Sequence, residues 1–517
     1  MKGQEITSNW QQLARFNQIR ALGMLFLLAG LPWSNTLMSL GTGLIFAGWL
    51  LGVFQKQLRW KNKQVALGLG LAVAFGMGAF YSPIFSPAFW SDYKVKLSLF
   101  LLITGMSDIR SLKPFTSFFL RWGLSAYLLV SLVGCMMLFQ HAGSMSHTFR
   151  EASPWISNVR MGILGLGYLG MLWIPMAQPV KLSAFWRWGI GIWIFIYLFI
   201  LQAYTAIGIG CFLLTLWAIF NRNTPWAIRW GIPCLSLILF AGLYREWIWV
   251  QGAPKPPMES WPGFSPGGYP YKYDTTSVQK ENGAYIWHQV CPAELQATWP
   301  QLSRRPLMAP LPNGTPLYFN LLRYLSSRHL PKDKFGLMQL SGPEIQAIEN
   351  GVVNWLELQT PPWRFRLNQM LKSLDYYLQT GDPMQESMTI RLFLWKKTWD
   401  VWQTQFWKGH GPAEGWGKLS ASLSAPGSRL KSAYHWMHPH HQWLSLGLHY
   451  GLLGLALAGI IWLAMGRILW NTPAFWWFSI FTLALFTEDV LETQAGVTQT
   501  AFFLTWLALN HIHGDRT

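Results

Sequence analysis

Residues 438–454 read HPHHQWLSLGLHYGLLG and join a long polar segment to a strongly apolar one. Imidazoles placed there sit where a membrane helix meets water, the depth at which an ionisable side chain and a lipid-borne substrate can meet. A histidine near its ordinary pKa of about 6.5 can take a proton from an attacking hydroxyl. His440 is the candidate for that step, with His438, His441 and His449 read as interface or packing histidines. Cations distant in sequence add a second chemistry. Lys94 and Lys96 lie in SDYKVKLSLF, Arg160 in SNVRMGIL, Arg323 in YFNLLRYLSSRHLPKDKFG and Arg391 in IRLFLWKKTWDVWQTQFW. Arginines clamp diphosphate oxygens bidentately and stabilise charge growing on a leaving group. Histidine and cations together fit transfer from a lipid diphosphate, an anhydride-activated donor that needs no ATP. Each cation also has a structural reading. Lys94 suits a snorkelling anchor at a helix end, and Arg323 is one of several bases in a solvated loop. Arg160 and Lys96 each begin an apolar run, where a cation opposes the helix dipole, so their placement asks for another reason. Glu488, Asp489 and Glu492 lie in FTEDVLETQAG, and Glu488 and Asp489 are expected to pair with such cations rather than to catalyse.

The elements that must hold these groups are apolar. The chain has 517 residues, 51% hydrophobic and 12% charged, with 33 Trp. Soluble domains carry about 25% charged residues, so the composition is that of an integral membrane protein. A formal charge of +18 suits anionic headgroups or phosphate-bearing substrates, and the apolar content argues against nucleic acid. The first apolar run is read as a retained span, because no short apolar region followed by a small-residue cleavage site precedes it. Candidate spans lie near 18–34, 36–54, 65–84, 96–107, 116–139, 159–178, 185–203, 205–220, 226–249, 443–465, 473–487 and 495–512. That is about twelve, with 96–107 too short to cross unaided and read as tilted or partly re-entrant. A helix starting near Pro439, a residue suited to a first turn, would put His440, Leu444, Gly447, Gly451 and Gly454 on one face. Glycines on such a stripe let a membrane helix approach its neighbours closely.

Orientation follows from Lys and Arg in the short loops. With the N-terminus in the cytoplasm, the inner segments hold Lys2, Arg15 and Arg20; Lys56, Arg59, Lys61 and Lys63; Arg110 and Lys113; Lys181 and Arg187; Arg222 and Arg229; and Arg467. That arrangement sets 1–249 as a transmembrane bundle, 250–440 as a large outer loop and 441–517 as the last three spans, with both termini inside. The loop opens on a Pro/Gly/Tyr stretch and then shows short amphipathic patterns. In 390–407, Ile390, Phe393, Leu394, Val401 and Trp402 fall roughly on one helical face, and 343–355 reads as a short helix ending at Gly351. A mostly helical cap resting on the bundle is expected, not an independently folding domain.

Other chemistries are weaker. GHGPAEGWG, 409–417, follows no strand and closes on no GK[ST], which argues against a nucleotide phosphate loop. HPHH lacks carboxylates at ligand spacing, so no metal and no other cofactor is expected. No Gly-x-Ser-x-Gly elbow or Cys–His arrangement occurs, and no early acidic pair of the metal-dependent glycosyltransferase kind. Cys135, Cys211 and Cys234 fall in predicted spans and Cys291 outside them, which gives no disulfide framework. A transporter or flippase would share the many spans, yet no repeated halves are visible and the polar candidates gather at one surface.

At these residues the chain resembles the O-antigen ligase family of the Gram-negative inner membrane, which is related to the O-antigen polymerases. HHQWLSLGLHYGLLG, from His440 to Gly454, is similar to the family's histidine followed by Gly-x-x-Gly, and IRLFLWKKTWDVWQTQFWKGHGPAEGW is similar to its arginine-led helix running into a Gly-x-Gly turn. NVRMGIL, DYKVKLSLFLL, KENGAYIWHQVCPAEL, LLRYLSSRHLPKDKFG, IENGVVNW and EDVLETQAGV extend the likeness to a branch with an enlarged periplasmic loop. The resemblance implies an all-α polytopic glycosyltransferase of the inner membrane, metal-independent and inverting. It would move a glycan from undecaprenyl diphosphate to lipid A–core on the periplasmic side. It implies His440 as the essential histidine, Arg160 and Arg391 as holders of the diphosphate, and Lys96 as an outer-face lysine of the same pocket. Arg323, an outer-loop cation, is a further candidate ligand of the diphosphate. His441 stands where the family usually has an amide or hydroxyl, and QAYTAIG (202–208) lacks an arginine often found in this branch. A polysaccharide polymerase of the same superfamily and a protein O-oligosaccharyltransferase are the alternative readings.

Overall fold

The computed structural model describes residues 10–59, 63–76, 87–140, 152–173, 182–221, 225–252 and 261–512, apart from 313, 384–385, 429, 471 and 473. Lys2, Lys61, Lys181 and Arg222, the far ends of the segments 65–84 and 159–178, and the opening 253–260 of the long loop lie outside the described residues. The apolar runs fold as α1 (Arg15–Gly30), α2 (Asn35–Phe54), α3 (Lys63–Gly76), α4 (Pro87–Gly105), α5 (Thr116–Gln140), α6 (Asn158–Trp173), α7 (Ala184–Ile200), α8 (Tyr204–Phe220) and α9 (Trp226–Gln251). Two short strands follow, β1 (Lys280–Glu281) and β2 (Ala284–Tyr285). Then come α10 (Pro292–Leu302), α11 (Leu317–Ser327), α12 (Lys334–Met338), α13 (Gly342–Glu349), α14 (Leu356–Gln359), α15 (Pro362–Thr380), α16 (Ser387–Gln403) and α17 (Pro412–Leu423). The last three apolar helices are α18 (Gln442–Leu469), α19 (Ala474–Ala484) and α20 (Gln494–Ile512). Each apolar segment expected from sequence therefore has its helix. The stretches Asn35–Phe54, Ser111–Leu138, Trp226–Gln251 and Gln442–Leu469 are long and apolar enough to cross a membrane, and α7, α8 and α19 are shorter apolar helices. The mostly helical fold fits an all-α membrane protein.

Contacts divide the chain into two compact units: Met1–Arg229 with Leu394–Ser428 and Ser432–Thr517, and Trp230–Phe393 with Arg429–Lys431. In the first, α1 and α2 form a tight hairpin. A Cβ on Gly41 would lie 2.5 Å from the Leu27 N and 2.6 Å from the Gly23 O, so only glycine permits that backbone approach. Arg20, on α1, is fully buried and donates to the carbonyls of Gly105 (3.1 Å) and Ser107 (2.7 Å). These are orphan acceptors at and just past the end of α4, where a cation also meets the negative end of the helix dipole. The fourth segment itself is longer than its apolar run. The helix starts at Pro87 rather than near residue 96, because Asp92 and Lys96 pair at i,i+4 (2.6 Å) and carry the charges into the helix already neutralised.

The tenth segment departs from expectation twice. It begins at Gln442, not near Pro439, with His441 as N-cap, whose Nδ1 accepts from the Leu444 N–H at 3.3 Å. His440 stands outside the helix with a φ of 52°. The helix is then broken at Gly451 (φ 66°, ψ −170°), so the stripe from His440 to Gly454 is not one face. The break frees the carbonyls of Leu448 and His449, which accept from the N–H groups of His410 (2.8 Å) and Gly411 (2.9 Å), while the Leu452 N–H donates to the Phe406 carbonyl (2.8 Å). Backbone left unpaired in an apolar bundle is costly, and the Gly-x-Gly turn satisfies it. A Cβ on Gly451 would lie 2.2 Å from the Trp407 O, and one on Gly447 would lie 2.7 Å from the Trp402 ring. These glycines serve the 402–411 stretch rather than a long neighbouring helix.

The second unit has a hydrophobic core of its own, with Leu295, Trp299, Leu317, Leu321, Leu325, Leu337 and Ile348 buried together. α13 is opened by a capping box between Ser341 and Glu344 and ends beside Gly351 (φ 99°), close to the helix expected over 343–355. The β1–β2 hairpin, not anticipated, turns at Asn282–Gly283, both at positive φ, the pairing that two-residue hairpins favour.

Candidate functional site

The residues before α18 are held from several directions. The His438 ring stacks on Trp416 (centroids 4.1 Å apart, 3° between planes), the Pro439 carbonyl accepts from Trp395 Nε1 at 2.7 Å, and His441 caps the helix. Between them His440 takes a left-handed backbone conformation that few non-glycine residues adopt. Its Nδ1 lies 3.3 Å from Asp489 Oδ1 and 3.5 Å from Glu488 Oε2, close enough for ion pairs although not aligned as hydrogen bonds. Asp489 Oδ2 is 3.4 Å from His438 Nδ1, so one carboxylate lies between two imidazoles.

Electrostatics follow from that placement. Burial by itself would depress the His440 pKa, but the carboxylates of Asp489 and Glu488 outweigh it and push the pKa up to about 9. For Asp489, burial would raise the pKa, and His438 and His440 together hold it well below the usual carboxylate range instead. With Nδ1 turned to the acids, a neutral His440 carries its lone pair on Nε2, the nitrogen left for a substrate proton. Arg160, on the first turn of α6, shares a small cavity with Glu488, Asp489 and Gln499. The structure therefore brings together His440, Arg160 and the acidic turn that follows α19. Glu488 and Asp489 do partner basic groups as expected, but histidines are among them. His438, expected to pack, faces Asp489 as well as Trp416. Two adjacent acids after an apolar run were the available signal, and nothing in sequence pairs them with histidines about fifty residues earlier.

Lys96 is placed differently from its expected role as a ligand. It is 2% exposed, and its ammonium donates to Asp92 (2.6 and 2.8 Å) and to Glu492 Oε2 (3.1 Å). A cation so enclosed holds the acidic turn rather than meeting a diphosphate directly. Glu492 is kept in its charged form: burial opposes this, and Lys96 overcomes it. His449, also expected to pack, is fully buried against Trp416 (centroids 4.4 Å apart). Lys94 is exposed, as an anchoring lysine would be.

Arg323 and Arg391 belong to the second unit. Arg323 is committed to a buried acid: its Nε and Nη2 both reach Glu281 Oε1 at 2.7 Å, and Lys372 Nζ joins at 3.0 Å. Burial would raise the Glu281 pKa, and the two cations lower it instead. The expected diphosphate role of Arg323 thus meets a competing partner, and the residue reads as part of that unit's fold. Arg391 lies half-buried on α16.

Among the described residues, two sets of donors converge closely enough to suit a cation: His440 with Glu488 and Asp489, and Asp92 with His449 and Glu492, the atoms of each set lying within 4.8 Å of one another. In the second set the Lys96 ammonium already contacts both acids. In the first, the positive charge comes from the imidazoles and the neighbouring Arg160. Neither is read as a metal centre.

Residues 351–459 match a family model described as O-antigen ligase. The match takes in Arg391, the Gly-x-Gly turn, His440 and the broken helix up to Gly459, and leaves Arg160, Lys96 and the acidic turn outside it. No curated protein sequence matches the chain.

Proposed function

We propose that this chain, which carries an O-antigen ligase family domain, is an inner-membrane glycosyltransferase that moves a glycan from undecaprenyl diphosphate to lipid A–core. The observation that carries the reading is His440, held by Asp489 and Glu488 beside Arg160 and lying inside the family match. In the proposed step the acceptor hydroxyl oxygen attacks the anomeric carbon while its proton passes to His440 Nε2. The bond from that carbon to the diphosphate oxygen breaks, and undecaprenyl diphosphate leaves with the electron pair. A single displacement inverts the anomeric centre. Arg160 would hold the diphosphate and absorb the charge that grows on it. The resemblance gives Arg391 the same ligand. The distribution of Lys and Arg supports a periplasmic site with both termini in the cytoplasm.

Purified protein given lipid-linked glycan and acceptor should form product with neither nucleotide nor added metal. His440→Ala should abolish turnover and still bind donor, and full activity of that variant would sink the proposed base. Deletion in the parent bacterium separates ligase from polymerase on a lipopolysaccharide gel. Bare core identifies a ligase, whereas core capped by single repeats identifies a polymerase.

A further inference from the structure

Two residues beyond His440, the side chain of Gln442 is fully buried and does more than begin α18. Its backbone N–H donates to the Leu485 carbonyl at 2.9 Å. Its Oε1 accepts from the Leu491 N–H at 2.7 Å, and its Nε2 donates to Glu492 Oε1 at 3.0 Å. Leu485 and Leu491 bracket Glu488 and Asp489, so a single residue ties both ends of the acidic turn to the start of the helix that follows His440. We infer that Gln442 is a positioning residue, whose amide and backbone N–H pin the 485–492 turn so that its carboxylates stand opposite His440.

The chemistry asks for an amide. Position 442 must offer one acceptor and one donor about two methylenes from the backbone, in a dry site, without adding charge. Serine is too short, and an ionised glutamate offers no donor and would face Glu492. The groups around Gln442 are Glu492 on the turn, Lys96 and Asp92 on α4, and His449 further along α18. His440 faces Glu488 and Asp489, Asp489 also faces His438, and Arg160 lies beside both acids. Losing the Gln442 bonds frees the turn and takes the carboxylates away from His440.

The test uses the full chain in lipid nanodiscs and two variants, Gln442→Met and Gln442→Glu. The activity arm rests on the proposed transfer reaction; titration of His440 by NMR on histidine-labelled protein does not. Gln442→Met should lower the kcat reached on the plateau above about pH 9 at least about tenfold, with little change in KM for donor, and should move the His440 titration toward its ordinary value. Gln442→Glu can donate to Glu492 only when protonated, so its activity relative to wild type should climb as pH falls. The methionine variant should show no such recovery. Wild-type titration and kcat in Gln442→Met, or a pH-independent ratio for Gln442→Glu, would overturn the assignment. Should Gln442→Met fail to fold, the pH dependence of the Gln442→Glu ratio decides alone. Should wild type transfer no glycan, the functional reading fails and the His440 titration still decides this one.

Discussion

At His440 the nearest carboxylates set the pH at which the ring can act. A pKa of about 9 leaves roughly one ring in a hundred neutral at pH 7, so a base mechanism predicts a rate that climbs about tenfold per pH unit between pH 6 and 8 and levels off near pH 9. A flat profile over that range would remove His440 as the base. Asp489→Asn takes away one of the two charges and should shift the limb to lower pH, read from the same profile. The effect on stability runs the other way. The folded pKa of His440 lies above the ordinary value of about 6.5, so its contribution is complete below that pH and is lost as pH rises through about 9. Asp489 is depressed, so its contribution is present above the ordinary carboxylate pKa and is lost only in strong acid. Beside them, Arg160→Ala should weaken donor binding by about tenfold or more, and Arg160→Lys should recover only part of it, because an ammonium cannot make the planar two-pronged contact. Titration of binding with lipid diphosphate checks both, and unchanged affinity in both counts against the clamp.

Among the elements, the broken α18 is the one whose local rules and tertiary partners disagree most. At φ 66° and ψ −170° Gly451 occupies a region open essentially to glycine alone, and a Cβ would also run into the Trp407 carbonyl at 2.2 Å. Gly451→Ala should therefore destabilise the protein by at least about 2 kcal/mol and lower its thermal midpoint in detergent, whereas Gly459→Ala, with open space around it, should not. Equal midpoints would mean that the break is not fixed by this contact. The apolar run of α18 was plain in the sequence, and so was the glycine-rich turn at 409–411. That one exists to satisfy the other was not, because the hydrogen bonds join residues about forty positions apart. The start of the helix misled for a related reason. Pro439 favours a first turn, but the Trp395 bond to its carbonyl and the His441 cap delay the helix to Gln442. In α4 the helix starts earlier than expected instead, since Asp92 cancels the charge of Lys96, the residue at which the apolar run begins.

Over the whole molecule, each unit combines a hydrophobic core with a buried ion-pair group: in the first, Lys96 lies between Asp92 and Glu492. The second gathers a core of Leu, Ile and Trp around α10 to α13, and buries Glu281 between Arg323 and Lys372. Removing one partner of a buried acid leaves charge uncompensated. Arg323→Ala should cost that unit about 1–3 kcal/mol, below the full penalty because Lys372 remains, and protease resistance of the unit reports the loss. A variant as resistant as wild type would return Arg323 to the list of substrate ligands.

Composition and hydropathy were enough to specify a helical membrane protein, and the histidine-to-glycine motif lies inside the stretch that matches the O-antigen ligase model, with His440 and Arg160 among the candidates. Those properties depend on residue type and on neighbours within a few turns, which a linear pattern carries. Which carboxylates face His440, that Lys96 is enclosed and that Arg323 is taken by Glu281 depend on pairs brought together from distant parts of the chain. A buried charge takes whichever opposite charge the packing sets beside it, and only the tertiary structure makes that choice.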